Sequence, residues 1–163
     1  MVLQEWDCEL EKSAQAWSES TSCMMNHSRA GGENLYWGWD SNPIQISNVA
    51  ATGSNGWAGE FDKCKYASNN YIGMYHNNCT IGHATQMAWW SSHRLGCGIE
   101  TCAENGGNTV FMVCRYSPSG NIRTSETYGA GVTCSACPAE TTCEQATGLC
   151  VKGAATVPTA TTV

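Results

Sequence analysis

Two histidines and two glutamates are the residues of this chain best suited to act together. His27 opens HSRAGGEN, which carries Glu33; Glu60 lies in GWAGEFDKC; His83 follows a glycine in GHATQMAWW. Two imidazoles and two carboxylates facing one cleft could bind a divalent cation, chiefly zinc, or exchange protons as acid and base. Each also has a plainer reading. A histidine near a helix start is often hydrogen-bonded structure, and a glutamate before Asn-Leu can be a helix-cap partner. Pattern alone favours the plainer reading for each, and His76 and His93 read as solvated loop residues. At the start of a helix the positive end of the dipole disfavours imidazolium at His83, leaving a ring that can ligate a metal or accept a hydrogen bond.

Other chemistries find less support. The sequence has no G-x-S-x-G elbow, no H-E-x-x-H pair and no phosphate-binding glycine loop. Eleven cysteines, with charged residues at only 13%, point to an oxidising compartment, where a free thiolate nucleophile is not expected. A net charge of −6 with eight Lys plus Arg provides no surface for nucleic acid, and no apolar run is long enough to span a membrane. MVLQEWDCELE lacks the marks of a signal peptide although the cysteines call for export, so the segment is expected to begin downstream of the natural start. Asn26-His27-Ser28 and Asn78-Cys79-Thr80 are sequons for N-glycosylation.

The elements that must position these residues are partly legible. Trp6, Leu10, Ala14 and Trp17 recur at helical spacing and predict a helix over 3–19 with a buried Trp stripe. Residues 31–59, rich in Gly, Asn and Ser, predict loops and short helical turns. A second helix is predicted over 83–90, with Ala84, Met87 and Trp90 on one side and Thr85 and Gln86 on the other. RLGCGIETC and NTVFMVCRY read as strands joined at Glu104-Asn105-Gly106-Gly107, a hairpin turn signal. Cys97 and Cys114 are equidistant from the turn centre, so a hairpin sets them opposite each other within disulfide reach. CSACPAETTCEQATGLC, with Cys134, Cys137, Cys143 and Cys150, cannot build a core and must be stapled. Disulfides are preferred there to a four-thiolate zinc knot, with all three pairings open. Residues 151–163 read as a flexible Thr-rich tail.

GHATQMAW with LGCG, and VCRYSPSGNI, resemble the two signature motifs of the CAP superfamily of cysteine-rich secretory proteins. WDCELEKSAQAW, HSRAGGENLYW and the cysteine-rich hinge look most like the activation-associated secreted, or venom allergen-like, proteins of parasitic nematodes. The resemblance implies an α+β fold, a three-layer α-β-α sandwich. It divides the chain into a CAP domain at 1–128, truncated at its N-terminus, a disulfide-stapled hinge at 129–150 and the tail. It also implies a cleft tetrad of His27, Glu33, Glu60 and His83, with His27 and His83 as ligands for zinc or another divalent cation. Secretion, binding of host proteins or receptors, immunomodulation, and binding of sterol or fatty acid are further implications, without an established enzymatic activity. Three departures stand out: no HNxxR-type helix precedes WDCELE, Ala84 replaces the aromatic of GHYTQ, and Gly53, Gly56 and Gly59 weaken the helix leading to Glu60. An odd cysteine is left without a partner. The expected role is a secreted binding module; the alternative is a zinc-dependent hydrolase or protease using the same tetrad, with Glu33 or Glu60 as base.

Overall fold

A computed structural model describes residues 1–66, 74–76, 78–104 and 106–153. Its centre is the expected hairpin, β5 (Arg94–Glu104) with β6 (Gly107–Ser117), in a register that sets Cys97 opposite Cys114. The two cysteines are bonded, as expected from their equal distance from the turn. Gly106, at φ +86°, supplies the left-handed residue that a two-residue hairpin loop needs. β2 (Gly32–Asp40) runs antiparallel to β6, and the two-residue β1 (Glu5–Trp6) runs parallel to β5, giving the order β1-β5-β6-β2.

Strand alternation divides the apolar residues of β6 between two cores. Val110, Met112, Cys114 and Tyr116 pack with Val49 and Trp57 of α2 (Ile46–Ala58), while Phe111 and Val113 pack with Leu35, Cys23 and Ala14 of α1 (Cys8–Ser20). The result is the expected α-β-α sandwich. α1 lies close on β5 because Gly96 and Gly98 have no side chains; a Cβ at either would run into the α1 backbone, that of Leu10 and Glu11 or of Ala14 and Gln15.

Three expectations change. The first helix starts at Cys8, because the Asp7 side chain accepts from the backbone N–H groups of Glu9 and Leu10 at 3.0 Å and caps it. The residues before it pair with β5, so Trp6 is 56% exposed and lies outside the core. Residues 31–59 are a nine-residue strand and a thirteen-residue helix. Long-range packing overrides their glycine content: β2 pairs with β6 along its whole length, and Gly53 of α2 fits beneath Met112 and Tyr36. The helix predicted over 83–90, α4 (Gly82–Met87), stops before Trp90, which is exposed, while Trp89 is buried.

Short elements fill the rest: α3 (Glu60–Lys63), β3 (Tyr75–His76), β4 (Cys79–Thr80), β7 (Thr141–Glu144) and β8 (Leu149–Lys152). The hinge carries two disulfides, Cys134–Cys143 and Cys137–Cys150, so its sulfurs are not available as a zinc knot. Its second strand is tied to the chain start, Leu3 N–H donating to Cys150 O and Cys150 N–H to Met1 O, with Lys152 3.7 Å from Glu5. Cys23–Cys102 and Cys64–Cys79 complete the bridges, and Cys8, exposed, is the odd cysteine. Of the predicted tail, Val151 and Lys152 belong to β8, and residues 154–163 lie outside the described residues. Among the described residues no helix is long and apolar enough to cross a membrane.

Candidate functional site

Glu60 stands where α2 gives way to α3, and its carboxylate reaches the start of α4. Oε2 accepts from the backbone N–H groups of His83 and Ala84 at 3.0 Å, and Oε1 lies 2.6 Å from His83 Nδ1. The N-cap position of α4 is Ile81, which has no capping side chain. Glu60 therefore caps the helix from another element, placing a negative charge at its positive end. Trp57 closes the other side: its ring stacks on the His83 imidazole with centroids 5.8 Å apart, and its Nε1–H donates to Leu35 O at 3.0 Å. Asn34 Nδ2 donates to the His83 carbonyl at 3.1 Å and to the Tyr116 hydroxyl oxygen at 3.2 Å.

The polar residues of α4 are as fixed as the apolar ones. Thr85 and Gln86, predicted to face away from the apolar side, are both buried. Thr85 Oγ1 donates to Asn121 Oδ1 at 2.7 Å, and Gln86 is held by Ser92 Oγ at 3.1 Å and by the Gly120 N–H at 2.9 Å. The loops carrying Ser92, Gly120 and Asn121 supply the partners on that side of α4, so Thr85 and Gln86 lie on no solvated face.

The other pair is built on β2. Glu33 is opposite Arg115 on β6, and its side chain is only 3% exposed, whereas that of His27 is 59% exposed. Glu33 Oε1 accepts from the Ser28 backbone N–H at 2.9 Å and lies 2.8 Å from His27 Nδ1. Oε2 accepts from Ser28 Oγ at 2.5 Å and from Arg115 Nε at 3.4 Å, and Arg115 donates in turn to Ser13 on α1. Burial opposes ionisation of Glu33. The bonds from Ser28 and His27 together outweigh it and hold the carboxyl below its ordinary range.

In both pairs a carboxylate meets Nδ1. An ionised carboxylate only accepts, so Nδ1 must carry the hydrogen, and in the neutral ring Nε2 keeps its lone pair. The sequence-predicted residues thus meet two by two. One end of β2 supports both pairs, Glu33 meeting the His27 ring and Asn34 donating to the His83 backbone carbonyl. Among the described residues no three or more His, Cys, Asp or Glu side chains form a group that could hold a metal. Two concavities lie elsewhere: one of about 300 Å³ between β2 and α2, one of about 600 Å³ between the hinge and the sandwich, and neither is lined by the four residues.

His76 and His93 are half-buried, not fully solvated: His76 sets its ring edge-on to Tyr66, and His93 Nδ1 lies 3.0 Å from Ser91 O. Asn26 and Asn78 are both exposed. Sequence reasoning overlooked Ser28, Asn34 and Arg115. Ser28 and Asn34 neighbour predicted site residues, but Arg115 is found only through strand register.

A family model for the cysteine-rich secretory protein family, CAP, matches residues 1–116. Cysteine-rich secretory protein 3 from Equus caballus is 32% identical over 161 residues, covering 92% of this chain and 59% of its own length. Helothermine, a cysteine-rich venom protein from Heloderma horridum horridum, is 31% identical over 149 residues, covering 85% of this chain and 57% of its own length. The chain thus spans less than two thirds of the curated relatives it matches. Among solved structures, BmVAL-1 is 34% identical with a TM-score of 0.78, covering 94% of this chain and 78% of that one. NaASP2 with Zn2+ is 32% identical with a TM-score of 0.79, covering 92% of this chain and 76% of that one.

Proposed function

The chain belongs to the cysteine-rich secretory protein (CAP) family, and from that premise we propose that it acts outside the cell as a binding module that engages host proteins and holds a divalent cation, zinc first, through His27 and His83. The observation that carries the metal reading is the pairing of each Nδ1 with a carboxylate. A metal-ligating histidine characteristically donates its other ring N–H to such a partner, which fixes the ring and makes the free nitrogen a better ligand. The donor set fits zinc in kind: two imidazoles, with the remaining positions left to water or to a group from a ligand. A zinc-bound relative of similar fold supports the same choice. The carboxylates belong to the histidines, to Ser28 and to the start of α4, which argues against either acting as a free general base.

When bound, the cation would supply a Lewis-acidic point for a carbonyl, carboxylate or phosphate oxygen of a small ligand. The residues of this chain do the positioning: Glu60 and Trp57 hold the His83 ring, and Glu33, itself held by Ser28 and Arg115, holds that of His27. Sterol or fatty-acid binding would draw on another surface, the concavity between hinge and sandwich, where Trp90 and Val132 are exposed.

Calorimetric titration of zinc into metal-free protein tests the proposal, with turnover of peptide and ester substrates measured in parallel. The expected result is one zinc per chain, an affinity lowered more than about tenfold in both His27→Ala and His83→Ala, and no turnover that depends on His83. Zinc binding indifferent to both substitutions would remove the metal reading. His83-dependent hydrolysis would replace the binding module with an enzyme.

A further inference from the structure

Asn26 lies in a segment without regular structure that follows α1 and its disulfide-bonded Cys23, and it is the residue before His27. Its backbone is pinned, the N–H donating to Met24 O at 2.9 Å and the carbonyl accepting from Trp17 Nε1 at 2.8 Å. Its side-chain amide is exposed and makes no hydrogen bond among the described residues. The segment therefore holds the amide outward at a fixed place beside His27.

Ser28, the third residue of the sequon, is in a different position. Its hydroxyl and its backbone N–H are both committed to the Glu33 carboxylate. A transferase that needs this hydroxyl must reach it before β2 pairs with β6 and Glu33 arrives. Asn26 is therefore a site for modification of the emerging chain, after which Ser28 is free to orient the His27–Glu33 pair. The second sequon differs, because its middle residue, Cys79, is locked to Cys64.

We propose that Asn26 carries an N-linked oligosaccharide, attached before this segment folds, which covers the surface beside His27 and limits that imidazole to small ligands. In the transfer, Asn26 Nδ2 bonds to C1 of the first sugar of a lipid-pyrophosphate-linked oligosaccharide, the lipid pyrophosphate leaves, and Nδ2 gives up one proton. The inference rests on the extracellular reading and on the assignment of His27, but its test uses no metal, so the two can fail separately.

The test is peptide mapping by mass spectrometry of the chain secreted from eukaryotic cells, before and after enzymatic release of N-glycans, which converts a glycosylated Asn to Asp. Conversion is expected at Asn26 and absent in Asn26→Gln. Arg29, exposed in the same segment, reports the covering. Trypsin is expected to cut after Arg29 about fivefold faster or more in Asn26→Gln, and in wild type deglycosylated without unfolding, than in the glycoprotein, because exposed loops are where nicking concentrates. An Asn26 recovered unmodified overturns the site. A modified Asn26 with equal cleavage rates in all three proteins overturns the covering.

Discussion

Replacing Gly98 by alanine is expected to destabilise the protein by about 3 kcal/mol, because the added methyl meets the backbone of α1 and not a side chain that can turn away. Gly98 lies in β5, and the atoms a Cβ would meet belong to Ala14 and Gln15 in the middle of α1. To make room, α1 must lift off the sheet and loosen Ala14 from Phe111 and Val113. The lift also stretches the two bonds that Gln15 makes to the Ile99 backbone, at 2.8 and 3.0 Å. For a domain of this size the loss corresponds to a Tm lower by roughly 6–12 °C. Gly56→Ala is the control, since nothing lies within 4 Å of a Cβ there. Calorimetric melting of both variants checks the expectation, and a Gly98→Ala protein that melts within about a degree of wild type would show that α1 does not depend on this close approach.

Trp57→Ala carries the next largest effect, a loss of about 3–5 kcal/mol. Trp57 is 5% exposed in the core formed with Val49, Met112 and Tyr116, and its indole N–H satisfies the Leu35 carbonyl of β2. Alanine leaves a cavity and an unpaired carbonyl together. The variant also removes the ring stacked on His83, so zinc affinity should fall along with stability. Trp57→Phe separates the contributions: it keeps an aromatic ring in the core and loses the bond to Leu35, for a smaller cost of about 1 kcal/mol. Urea midpoints that fail to rank wild type above Trp57→Phe above Trp57→Ala would mean that this contact is not what joins α2 to the site.

What could be read from the sequence follows the range of each interaction. The β5–β6 hairpin was legible because its turn and its two opposed cysteines lie close together in the chain. Asp7 was not recognised as the start of α1, since the Trp6–Leu10–Ala14–Trp17 spacing continues smoothly through the cap, and only pairing with β5 takes Trp6 out of the helix. β2 and α2 were hidden because glycine propensity is local, whereas the β6 register and the Gly53 contact with Met112 are not. The four site residues were found by motif and resemblance. Their pairing, His27 with Glu33 and His83 with Glu60, needed the fold. Nothing in GWAGEFDKC announces that Glu60 caps a helix whose own N-cap position is an isoleucine.

The functional reading rests on the two imidazoles carrying hydrogen on Nδ1 and presenting Nε2. Long-range 1H–15N correlation spectra of 15N-labelled, metal-free protein, recorded well above the ordinary histidine titration range near pH 6.5, report the tautomer of each ring directly. The expected result is the Nδ1–H tautomer for both His27 and His83. An Nε2–H tautomer at either ring would contradict the account, because the nitrogen assigned to the cation would already hold a proton.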